Sequence, residues 1–218
     1  MKRSARFLGT LAAVAWLVVP TRTASAEEPE RGGLHVDAAV GLGMTSGSYQ
    51  YERDSAPFDG TPVQRLRFEA GLEGPALALS VTPAFALSPE VALGIALDAT
   101  IFPSLEQRGR IGESSIGGAL LVGAAAALVV RPEPIGFEAS FTCGVQRAAL
   151  FGSTNDIGSA ENVYEHESAI GPRAALRMGY AHTSGFGVST AGSFSWLVGE
   201  HSVYRPLVFL VQGTLSTW

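Results

Sequence analysis

Cysteine is almost missing from the chain: Cys143 is the only one, which excludes an internal disulfide and any thiolate-built metal cluster. Lysine is scarcer than arginine to an unusual degree, Lys2 being the sole example in 218 residues. No apolar stretch is long enough for a transmembrane helix of roughly 20 residues. The two greasiest, 7–19 and 116–130, are 13 and 15 residues long. There is no P-loop, no HExxH, no CxxC and no D-x-D-x-D-G calcium loop. Gly41-Leu42-Gly43 is no phosphate cradle, because no helical pattern follows it. A basic stripe is absent too, which argues against nucleic acid as a partner.

The first segment present is a leader. Lys2, Arg3 and Arg6 precede the apolar run, and Ala24-Ser25-Ala26 offers the small-x-small pattern of a signal-peptidase site. Residues 1–26 are therefore expected to be a cleaved signal peptide, 27–32 a short N-terminal segment, and 33–218 a single exported domain. The mature part holds all 20 acidic residues. Its cations are eleven arginines, giving a formal charge near −9.

Residues 33–45 read GLHVDAAVGLGMT. Leu34, Val36, Ala38, Val40, Leu42 and Met44 alternate with His35, Asp37, Ala39, Gly41, Gly43 and Thr45. A period of two puts the apolar set on one face of a β-strand and the small or polar set on the other. The pattern recurs over 75–87, 91–102, 135–146, 169–181, 186–196 and 206–218. Residues 116–130 are apolar on both faces, and the tight connection at 131–134 into the next run favours a strand there as well. The chain is all-β.

Connections at 88–90, 131–134 and 182–185 are short, whereas 46–62, 103–114, 152–168 and 199–204 are long and polar. They alternate consistently only if 63–87 is one long strand. Leu66, Phe68, Ala70 and Leu72 are even, but Leu77, Leu79 and Val81 are odd, and this phase change predicts a one-residue bulge. Its outer half, with Arg65, Arg67, Glu69 and Glu73, is expected to pair with 48–54 as a projecting hairpin. Pro83 and Pro172 each remove a ladder donor and predict bulges of their own. The result is an eight-stranded antiparallel up-and-down transmembrane β-barrel, with both termini at the short-turn end and the apolar faces turned to lipid.

This pattern, over nearly all of 33–218, resembles the small eight-stranded bacterial outer-membrane barrels, the OmpA/OmpX-like class. The chain also ends on Trp218, as that class tends to end on an aromatic residue used in insertion. In that class apolar residues share the phase of the last aromatic, and Gln212, Thr214 and Ser216 stand in those places here. The resemblance implies an outer-membrane location, lipid as the surrounding partner, and engagement of the barrel-assembly machinery by the C-terminal strand. No cofactor or metal is implied.

Candidate sites follow from the face opposite the lipid. His35, Asp37, Asp98, Glu138, Arg173 and Arg177 fall on it, and are expected to form an ion-paired plug in a lumen only wide enough for side chains. A gated polar path for small solutes is the functional alternative. Phe137, Tyr180, Phe186 and Trp218 near the short-turn end, and Phe102, Trp196 and Tyr204 near the long-loop end, are expected to form two interfacial girdles. Loops 46–62 and 152–168 offer Tyr49, Tyr51, Arg53, Phe58, Asn155, Asp156, Asn162 and Tyr164 to a surface ligand.

Two alternatives stay open. His-x-Ser occurs at His166-Glu167-Ser168 and His182-Thr183-Ser184, with Glu165 and Glu200 in the chain as acids. This pairing raises an outer-membrane lipid-modifying enzyme resembling the lipid A deacylases, although the Asn that would follow it there is replaced by Ala169 and Gly185. A soluble lipocalin-like carrier would instead turn the apolar faces inward around a ligand.

Overall fold

Ladders rather than loops dominate the described residues, because alternation over ten or more residues gives long strands with two distinct faces, whose backbone groups pair edge to edge. The computed structural model describes residues 33–54, 65–108, 114–132, 136–154, 163–182 and 184–217, all within one unit, Arg31–Trp218. Seven long strands appear in order: β1 (Leu34–Asp54), β2 (Arg65–Ala86), β3 (Val91–Phe102), β5 (Ser114–Val130), β6 (Gly136–Thr154), β7 (Val163–Ala181) and β10 (Ser202–Ser216). The eighth is interrupted at Trp196 and is written as β8 (Phe186–Ser195) and β9 (Leu197–Val198). A short β4 (Glu106–Arg108) extends the line of β3 and pairs with β2.

Every long strand pairs antiparallel with its neighbours, and β1 pairs with both β2 and β10. That double pairing closes an eight-stranded up-and-down barrel and leaves it no free edge. Residues 116–130 are strand, as the tight connection at 131–134 argued. The 182–185 turn closes through the Gly185 amide donating to the His182 carbonyl at 2.9 Å, with Gly185 at φ +80°. A Cβ there would also strike the Ser216 carbonyl.

Three expectations need correction. First, β2 is one strand, but it contains no bulge: its ladder with β1 runs unbroken from Leu34↔Phe85 to Asp54↔Arg65. From Ala70 to Ala84 the even positions face inward, Ala70 and Leu72 as much as Thr82 and Ala84. The apolar set changes parity because the surroundings change, not the backbone. Second, Pro83 and Pro172 cause no register shift. The ladder simply omits bonds beside them, and the Pro172 carbonyl still accepts from the Trp196 amide at 3.0 Å. The shift within a strand pair lies between Ile116 and Gly118. Third, the connection at 152–168 carries strand over 152–154 and 163–168, in addition to the pairing of 48–54 with the outer half of β2 that the sequence predicts. Pairing continues to Asp54↔Arg65 and Thr154↔Val163, because edges that leave the wall together keep satisfying each other's backbone groups.

The outward face of the wall is apolar and exposed. Leu34, Val40, Leu42, Met44, Leu93, Ile95, Phe141, Val145, Phe209 and Val211 all stand out from it, Leu42 at 64% exposure. From Leu34 to Met44 the band covers about 33 Å of strand, or roughly 25 Å along the barrel axis at a tilt near 40°. That is the height of a hydrocarbon core seen by a barrel.

Candidate functional site

The interior has two parts, and the strand parity fixes both. In the half nearer the short turns, Asp37 of β1, Glu138 of β6 and Arg177 of β7 point inward and are buried. Arg177 bridges the two acids, 2.7 Å from Glu138 and 3.4 Å from Asp37. Glu138 also pairs with Arg131. A little farther along the axis Arg173 pairs with Asp98 at 2.5 Å. The Gln146 amide donates to the other Asp98 oxygen at 3.2 Å, and Ser195 Oγ donates to Gln146 Oε1 at 2.6 Å. Small residues make the room: a Cβ on Gly123 would sit 2.9 Å from Asp98 Oδ1.

Five of the six residues expected in the lumen are thus brought into two clusters. His35 stands at the short-turn rim, its Nδ1 3.4 Å from the Thr217 carbonyl oxygen. Arg131 was missed by the sequence reading. It belongs to a turn, where nothing in the pattern indicates that its side chain folds back into the barrel, 4% exposed. Against both clusters lies a cavity of about 60 Å³, lined by polar side chains such as Asp98, Ser140, Arg173 and Arg177 and by apolar ones such as Ala78, Ala96 and Ala127, room for a few waters.

The half nearer the long loops is filled with hydrocarbon. Tyr49, Leu72, Phe102, Leu105, Leu121, Leu150, Leu197 and Tyr204 form one buried cluster. Tyr49 donates to Glu167, and its ring meets Tyr204 edge-on with centroids 6.5 Å apart. Burial, and then the Glu167 carboxylate, raise the Tyr49 hydroxyl above the ordinary tyrosine range.

The expected aromatic girdles are therefore only partly on the wall. Phe137, Tyr180 and Phe186 stand outward at the short-turn end, with Phe137 and Tyr180 directly opposite each other. Trp196 stands outward at the other end. Phe102 and Tyr204 do not: both are at most 1% exposed and face the interior. Their parity carried the signal, since Phe102 is in phase with Asp98 and Thr100, and Tyr204 with Gln212 and Thr214. Trp218 lies outside the described residues, as do residues 1–32, Phe58, Asn155, Asp156 and Asn162.

The alternative chemistries find little support in this arrangement. Leu34, Leu93 and Phe141 turn away from a charged interior, the reverse of what a lipocalin-like carrier needs. His182 Nδ1 lies 3.1 Å from Ser184 Oγ, but the Ser184 amide donates to that same nitrogen at 3.3 Å. This is a turn closing on itself, with the lone pair a general base would use already engaged. Ser168 Oγ accepts from Arg147 Nε at 2.9 Å.

A cleft of about 440 Å³ opens at the long-loop end, between the β1–β2 ribbon and the β9–β10 hairpin. Gln50, Tyr51, Glu52, Arg67, Glu200 and His201 line it. Arg67 donates to Gln50 Oε1 at 2.6 Å, and the Glu52 amide to the His201 carbonyl at 2.8 Å. Tyr51 stacks on Tyr49. Guanidinium, carboxylate, amide and aromatic groups side by side suit a polar ligand that makes several hydrogen bonds.

Comparison with known proteins gives likenesses of architecture. Ail, the attachment invasion locus protein of Yersinia pestis, is similar with a TM-score of 0.46 and 12% sequence identity, over 83% of this chain and 98% of that one. The outer membrane protein OprG from Pseudomonas aeruginosa gives 0.48 and 11%, over 83% and 95%. Neisserial surface protein A gives 0.45 and 12%, over 85% and 99%. No family model matches the chain, and neither does any curated protein sequence.

Proposed function

We propose that this chain is a small bacterial outer-membrane β-barrel whose lumen is a structural plug and whose long-loop end meets a surface partner. One observation carries the reading: polarity is inverted across the wall, with ion pairs such as Arg173–Asp98 inside and side chains such as Leu42 and Phe141 outside. A band of that kind is favourable only against hydrocarbon, and its charges are tolerable only where they pair or are hydrated. Passage of solutes is opposed at both ends of the small central cavity. The Arg177 cluster closes one side, and Leu72, Phe102, Leu121 and Tyr204 close the other. The surface role then falls to the cleft and the β1–β2 ribbon. Export removes residues 1–26 as a signal peptide, and the end of β10 engages the barrel-assembly machinery.

The test is membrane fractionation, electrophoresis of heated and unheated samples, and current recording in planar bilayers. The expected result is an outer-membrane protein beginning at Glu27, with heat-dependent mobility and no ionic steps. A soluble mature protein overturns the membrane assignment. A steady ionic current overturns the plug.

A further inference from the structure

A carboxylate without a cation lies beneath the floor of the cleft. Glu167 of β7 accepts from the Tyr49 hydroxyl through Oε2. Its other oxygen, Oε1, is buried and has no hydrogen-bond partner. The same holds for Oγ of Ser202 in β10, a residue only 4% exposed. Gly199, in the turn between β9 and β10, brings these atoms together. A Cβ there would lie 2.9 Å from Glu167 Oε1, 2.9 Å from Ser202 Oγ and 3.2 Å from the Ser168 carbonyl oxygen. Three oxygens of different kinds thus converge on one spot, and both Gly199 and Ser202 line the cleft. Asp37, Glu73, Asp98 and Glu138 all pair with arginine. Among the described residues Glu167 pairs with none.

A buried charge is tolerated where it is paired or coordinates a metal. Carboxylate, hydroxyl and carbonyl oxygens, with no nitrogen or sulfur among them, are hard donors that favour calcium or magnesium over the transition metals. Magnesium demands a near-ideal octahedron, which donors from a strand edge and a turn do not supply. Calcium accepts an irregular set of about six to eight oxygens, and water from the cleft completes it here. Glu200, beside Gly199 at the cleft's rim, adds negative charge. With a single buried carboxylate the site is weak, in the range of about 10⁻⁴–10⁻³ M.

We propose that Glu167, Ser202 and the Ser168 carbonyl hold a calcium ion in the floor of the cleft. The ion ties the β9–β10 turn to β7, whose ladder with β9 consists of the one pair Ile170↔Val198. The site requires the barrel but not the surface partner, and its test separates the two. Chelator-treated protein folded in detergent is titrated with terbium, a hard ion whose luminescence is excited through a nearby tyrosine, here Tyr49. The terbium is then displaced with calcium or with magnesium, and heat-dependent mobility is read on every sample. The expected result is a saturable signal displaced by calcium at about 10⁻⁴–10⁻³ M and about tenfold less readily by magnesium. E167Q keeps an acceptor for Tyr49 and removes the charge; G199A puts a Cβ among the oxygens. Each is expected to weaken calcium about tenfold, whereas E69Q, at an exposed acid of the β1–β2 ribbon, binds as the parent does. Absence of a saturable signal in the folded parent overturns the site. So does unchanged calcium affinity in E167Q with its heat shift intact, or a loss in E69Q as large as in E167Q. Should G199A fail to fold, E167Q decides. Equal displacement by magnesium overturns the calcium assignment. Loss of the heat shift in the parent overturns the membrane reading instead.

Discussion

Arg177 is the residue whose removal tests the lumen most directly. It is the cation shared by Asp37 and Glu138, at 3.4 and 2.7 Å. Replacing it with methionine keeps much of the volume and deletes the charge. Glu138 retains Arg131, but Asp37, 3% exposed, is left beside a second carboxylate with its bridging cation gone. Breaking a buried pair from one side costs about 3–5 kcal/mol, because the desolvated partner charge remains. At a urea dependence near 2 kcal/mol per molar, the unfolding midpoint of the lipid-folded barrel is expected to fall by about 2 M. Removing the acid as well, in D37L/R177M, deletes the charge that made the single variant costly. Most of the loss is then recovered, and the two positions are coupled by about 2 kcal/mol or more in a double-mutant cycle. The reasoning is refuted if R177M costs less than about 1 kcal/mol, or if the double variant is merely the sum of the singles.

Three further outcomes are expected. Gly43→Ala places a Cβ inside the Phe209 carbonyl, so β1 and β10 must separate there; a loss of about 1–3 kcal/mol or failed assembly should appear in the same urea titration. Phe141→Arg puts a cation in the middle of the outward band and should cost about 2–4 kcal/mol, whereas an Arg at the outward but water-exposed Glu69 should cost about 0–1 kcal/mol. Cys143 is exposed on the outward face between Phe141 and Val145, so a charged maleimide should label it in urea-unfolded protein and fail to do so in membrane vesicles. Labelling at equal rates in both would place that face in water.

The barrel was legible because its signal is local. Alternation such as Leu34, Val40, Leu42 and Met44 against Asp37 and Gly41 reports strand and face together, and alternating long and short connections report the count. The charges were legible for the same reason: Asp98, Glu138, Arg173 and Arg177 share phase with the small residues of their strands. What escaped depends on where a side chain goes after leaving its strand or turn. Arg131 occupies a turn and reaches inward through its own length, and the pairing of Tyr49 with Glu167 joins residues 118 positions apart. No periodicity encodes either contact.

The outer half was misread because one rule was carried past its boundary. Within the band, the outward residue is apolar since it meets hydrocarbon; beyond it, the outward residue meets water and the apolar side chains must turn in. β2 obeys both without changing register, with Leu77 outward and Thr82 inward in the band, then Leu72 inward and Glu69 outward above it. β10 does the same with Phe209 and Gln212 below, Tyr204 and Arg205 above. A parity reversal in a membrane strand therefore has two readings, a bulge or an interface. They differ in what the neighbours do: a bulge shifts one strand, whereas an interface reverses all of them at one height. Here β2 reverses near Glu73 and β10 near Arg205, and β6 turns Leu150 inward beyond Arg147 while Phe151 stays outward. The adjacent ladders continue unshifted through Thr45↔Gly74, Arg147↔Ile170 and Ser48↔Arg205. The reversal thus marks the upper edge of the hydrocarbon, where Arg147 and Arg205 stand on the outward face, one bonded to Ser168 and the other set on the Trp196 ring.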